Sequence, residues 1–123
     1  MKAYTDLEQS KKLAEILPLG SADMFYDQYG VIRIGNPKER YSDYHQLPVW
    51  SLAALLGVLP SRLFDSTPKR KELYLLPDLD KSYCFYRQFA VKTKGKIYIL
   101  TEGECLVDAC VEMIIKLHEQ NIL

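Results

Sequence analysis

Between residues 6 and 17, apolar Leu7, Leu13, Ala14, Ile16 and Leu17 recur among Glu8, Lys11, Lys12 and Glu15 with the period of a helix that buries one face. Thr5 is expected to cap this helix and Glu8 to complete a capping box, with Pro18 and Gly20 as the stop. Residues 22–26 and 31–34 are β-prone runs around Asp27-Gln28-Tyr29-Gly30, which predicts a hairpin. Pro48 is expected to open a second helix over residues 49–59 that is apolar on almost every side and ends at Pro60. Stretches 72–76, 82–91 and 96–100, separated by turn-forming residues 77–81 and 92–95, predict a three-stranded antiparallel meander. In the last helix Thr101 and Glu104 repeat the capping-box spacing, and Asn121 is placed to end it in a left-handed conformation. Its apolar positions, Leu106, Val107, Cys110, Val111, Met113, Ile114, Ile115 and Leu117, cover more of the circumference than a helix with one wet face requires. The expected fold is a single α+β domain over residues 1–123: an antiparallel sheet, made of the hairpin and the meander, packed by three helices.

Composition narrows the class of function. The chain has 123 residues with 16 basic and 16 acidic side chains, so the overall charge draws it neither to nucleic acid nor to an acidic membrane. Its 48% hydrophobic content is that of a chain able to bury a core rather than of a disordered one. Cys84, Cys105 and Cys110 are an odd count without paired spacing, which suits a reducing cytoplasm. The N-terminus enters a charged helical pattern directly, and the longest apolar run, residues 49–59, is about half the ~20 residues needed to span a bilayer. A cytoplasmic location without membrane insertion is the expectation.

Catalytic chemistry finds little support in the residues. Cys84 lies in a strand and Cys110 on the apolar face of the last helix; only Cys105, near a helix N-terminus, is placed to favour a thiolate, with His45 as a distant base for a small thiol enzyme. Neither His has a second ligand at helical spacing, so neither a metal nor any other cofactor is expected. Asp78 and Asp80 fall in a turn where Asp bonds nearby backbone donors. Two basic clusters, Lys69-Arg70-Lys71 and Lys92, Lys94 and Lys96, make a nucleic-acid-binding protein the alternative, provided that they converge beside aromatics of residues 83–87.

Nine Tyr stand against four Phe and one Trp, a balance suited to half-covered surfaces and interfaces. Tyr41, Tyr44 and His45 occupy a long aperiodic stretch, residues 35–47, and with Trp50 beside it they are the candidate binding residues. Residues 4–19 (YTDLEQSKKLAEILPL), 50–56 (WSLAALL) and 108–118 (DACVEMIIKLH) together resemble a family of small uncharacterised proteins of gut anaerobes and their phages or other mobile elements. The resemblance implies a bacterial or phage cytoplasm and no particular chemistry. The reading from sequence is a non-enzymatic accessory protein that binds another protein and forms a homodimer through its surplus apolar helix surface.

Overall fold

Asp6, one residue beyond the expected cap, starts the first helix. In the computed structural model, which describes residues 2–27, 29–37, 47–63, 71–90 and 93–123, α1 spans Leu7–Ile16. The Asp6 carboxylate accepts the Gln9 N–H at 2.8 Å and the Gln9 side-chain oxygen accepts the Asp6 N–H at 3.1 Å, a capping box shifted by one residue from the expected Thr5 and Glu8. Thr5 is buried instead, its hydroxyl paired with that of Ser10 at 2.8 Å and accepting the Trp50 N–H at 3.1 Å. A hydroxyl that ties two segments together inside the core is not available as a cap.

The hairpin forms as expected from β1 (Met24–Tyr26) and β2 (Ile32–Ile34). One Asp27 carboxylate oxygen accepts the N–H groups of Tyr29 and Val31, and Gly30 takes the left-handed conformation, φ 75°, that the turn requires. Pro48 does not open a helix. It sits in β3 (Leu47–Val49), which pairs antiparallel with β1, Pro48 opposite Phe25, and completes a sheet of order β2-β1-β3. An edge strand tolerates a residue without an N–H, and that placement removes the predicted first helical turn. Helix α2 is therefore shorter, Leu52–Val58, with the Ser51 hydroxyl accepting the Ala54 N–H at 3.2 Å. The Asp23 carboxylate accepts both the N–H and the hydroxyl of Ser51, fixing that cap against the hairpin. Only Leu55 of α2 is fully buried, while Ala53 and Gly57 are exposed, so this helix is not covered all round.

The meander is present and gains a fourth strand. β4 (Arg62–Leu63), β5 (Lys71–Leu76), β6 (Ser82–Ala90) and β7 (Thr93–Gly103) form an antiparallel sheet in that order. Lys94 and Gly95 belong to β7 rather than to a turn, since Ala90 already pairs with Thr93. Thr101 is likewise a strand residue, not a cap: its buried hydroxyl lies 2.8 Å from the Ala109 carbonyl and 3.3 Å from that of Cys84. Helix α3 (Leu106–Glu119) starts at Cys105 without a side-chain cap. It ends at Asn121, φ 58°, with the Asn121 N–H on the His118 carbonyl and the Ile122 N–H on the Leu117 carbonyl, a Schellman pair that meets the expected C-terminal stop.

Helix α3 crosses β6 and β7 on one side and meets α1 and α2 on the other. Its buried Val107, Ala109, Cys110, Val111, Met113, Ile114 and Leu117 therefore belong to one core with Leu13, Trp50, Leu55, Tyr86 and Ile99. The surplus apolar surface of α3, expected to meet another chain, is covered within this one. Among the described residues the fold is α+β, with three α-helices and two antiparallel sheets, and no helix is long and apolar enough to cross a membrane.

Candidate functional site

Of the expected binding residues, Tyr41, Tyr44 and His45 lie outside the described residues. Trp50 does not face a groove. It is fully buried, its indole N–H donating to the Ser21 hydroxyl at 2.9 Å, in the same core as Leu13 of α1 and Leu55 of α2. A ring with its one polar atom satisfied inside the core has nothing left to offer a ligand.

The thiols separate as expected. Cys84 on β6 and Cys110 on α3 are buried and come together across the sheet–helix interface; the neighbouring Cys110 thiol and burial push Cys84 well above the ordinary thiol range. Cys105, half-buried at the start of α3, bonds the Asp108 carboxylate. That carboxylate is itself occupied, accepting Lys2 Nζ and Gln9 Nε2, each at 2.8 Å. Burial opposes its ionisation, yet the bonds from Lys2, Gln9 and Cys105 win and hold Asp108 below the usual carboxylate range. This cluster ties the N-terminal segment and α1 to the first turn of α3, a structural duty. His118 Nδ1 lies 3.3 Å from the Leu123 carbonyl, at the far end of α3. Among the described residues no group of three or more potential metal ligands forms.

What remains distinctive is the side of the four-stranded sheet turned away from the helices, together with its β7 edge. Strand alternation places Glu72, Tyr74 and Leu76 of β5, Tyr83, Phe85 and Arg87 of β6, and Ile97, Leu100 and Glu102 of β7 on that outer face. Tyr74 and Phe85 stack with ring centroids 5.5 Å apart and planes 11° apart. Beside them Leu76 and Ile97 are each 51% exposed and Leu100 42%. Of the two basic clusters, Lys71 is buried, its ammonium 4.4 Å from the centre of the Tyr98 ring, while Lys69, Arg70 and Lys92 lie outside the described residues.

Along the edge of β7 that no described strand pairs with, two adjoining clefts separate the strand from α3. One, of about 350 Å³, is lined by residues including Leu100, Glu102, Glu112, Ile115, Lys116 and Glu119; the other, of about 570 Å³, by Ile97, Tyr98, Ile99, Leu100, Lys116 and Gln120. Leu100 and Lys116 are common to both, so the two read as one trough. The sequence does carry its signals. Residues 97–100 are apolar at successive positions, which a strand wet on one face does not need. Glu112, Lys116 and Glu119 are spaced as one helical stripe, the wet strip of α3. Neither signal says that the strip lies beside a sheet edge.

Comparison with protein-family models, with curated proteins and with solved structures finds nothing that matches the chain.

Proposed function

We propose that the protein is a non-catalytic accessory protein of a bacterium or one of its mobile elements, working in the cytoplasm by binding other protein chains through the outer face of its four-stranded sheet. The observation that carries this reading is the exposed apolar surface of Leu76, Ile97 and Leu100 around the Tyr74–Phe85 stack. Contiguous apolar surface of this kind on a small domain marks an interaction site. The homodimer is proposed at the same face, because the surplus apolar surface of α3 that first motivated it is covered within the chain. Nucleic acid fits the face less well: two of its aromatic rings, Tyr74 and Phe85, stack on each other, its charges include Glu72 and Glu102, and Lys71 is withdrawn into the core.

Gel filtration with light scattering across micromolar dilutions tests the reading. The expected mass is near twice the 14.2 kDa of one chain, falling to one chain for the double variant Leu76→Ser, Ile97→Ser with an unchanged circular dichroism spectrum. A wild-type monomer at every concentration would remove the homodimer. If bacterial proteins captured by the wild type were retained equally by the variant, the outer face would be lost as the contact surface.

A further inference from the structure

We infer that the trough between β7 and α3 takes up an extended, basic segment of a partner protein as a fifth strand of the sheet. This rests on the reading of the protein as a binding module and adds where the partner's chain runs.

The backbone sets the direction. The Leu73 N–H donates to the Ser61 carbonyl at 3.0 Å, toward β4, so its opposite residue Tyr86, and Cys84 two positions away, turn their backbone groups to β7. Tyr86 pairs with Ile99 and Cys84 with Thr101, which leaves the N–H and C=O groups of Leu100 and Glu102 directed away from the sheet. Lys116 supports this from the other side, since its ammonium reaches the Leu100 carbonyl at 3.5 Å. Among the described residues no other hydrogen bond engages these outward backbone groups.

Natural sheets blunt such an edge with lysines, bulges or a covering element. Here the register shifts of β7 fall opposite Tyr86/Arg87 and beyond, toward its start, and leave the stretch from Ile99 to Gly103 in regular register. Among the described residues, only the Lys116 side chain bonds the outward backbone of that stretch. A strand laid against it would point alternate side chains to the outer face, beside Leu100, and into the trough, beside Ile115, Glu112 and Glu119. Both of those glutamates are exposed and, among the described residues, neither has a salt-bridge partner, whereas Glu102 already meets Lys81 at 3.5 Å. The complementary segment alternates apolar residues with Lys or Arg, whose methylene stems cover Ile115 while their charges reach the two carboxylates. A second copy of this chain would bring the same glutamates to the same trough, and like charges set against each other disfavour it as occupant.

A labelled seven-residue peptide of alternating Lys and Val, with blocked ends, is the probe. Fluorescence anisotropy should show it binding at least tenfold more tightly than the same peptide with Glu for Lys, and at least tenfold more tightly than a version N-methylated at alternate residues. Its addition should slow amide exchange at Leu100 and Glu102 by tenfold or more. The surface variant Glu112→Lys, Glu119→Lys should lose the preference for the Lys peptide. Equal binding of both charge types, unprotected Leu100 and Glu102 amides, or no binding at millimolar peptide would overturn the inference. Amides already protected in a peptide-free dimer would assign the edge to a second copy and overturn it too. A chain that dimerises through its outer face but ignores the peptide refutes the strand alone and leaves the binding-module reading intact.

Discussion

At Gly103 one methyl group decides whether β7 can reach α3. A Cβ placed there would lie 2.5 Å from the Asp108 Cβ and 2.7 Å from the Ala109 backbone nitrogen, contacts that a flexible side chain could relieve but a helical backbone cannot. Gly103→Ala should cost about 1–3 kcal/mol, the usual penalty for overpacking, measured as a lower midpoint in chemical denaturation. An unchanged midpoint would mean that the strand end and the helix are free to separate. Residue chemistry also settles the thiols: Cys84 and Cys110 are small core residues, and what the sequence says of each taken singly holds in the fold. Trp50 shows the opposite case. Its position beside an irregular segment invites a surface role, and only the partners Thr5 and Ser21, remote in sequence, draw it inside.

Elements were most legible where the signal is local. The stop at Asn121 depends on a side chain that tolerates left-handed φ and on backbone bonds within three to five residues, so it can be seen in the chain itself. Replacing Asn121 by Val should cost about 1 kcal/mol from the left-handed conformation alone and should speed amide exchange in the last turn of α3. Asn121→Gly should preserve both stability and protection. Helix starts were less legible, since Thr5, Asp6 and Ser51 are all competent caps by residue type. The core decided among them: Thr5 was taken for burial, Asp6 was left at the helix start, and Ser51 was positioned by Asp23 once Pro48 had joined β3.

For the molecule as a whole, the cluster of Lys2, Asp6, Gln9 and Asp108 joins the beginning of the chain to its last helix. Asp6, through its bond from the Gln9 N–H, and Asp108, against opposing burial, are both held below the ordinary value of 3.8. A carboxylate whose folded pKa is depressed stabilises the fold fully above its unfolded pKa, and that contribution disappears as pH falls through the folded value. The Tm difference between wild type and Asp108→Asn should therefore be largest near neutral pH and shrink steadily below about pH 4. A gap that stays constant down to pH 2 would show that the carboxylate acts by shape rather than by charge.

The α+β class, the hairpin, the meander and the two long helices were determined by the chain itself, because periodicity, turn residues and helix stops act over a few neighbouring residues. Tertiary structure alone decided that Pro48 extends a sheet, that β4 adds to the meander, and that both sides of α3 are covered from within. It also decided that the wet stripe Glu112, Lys116 and Glu119 runs beside the open edge of β7. Those outcomes depend on which apolar faces meet and which backbone groups are left over when they do. Burial and edge pairing are properties of contacts distant in sequence, and no local pattern encodes them.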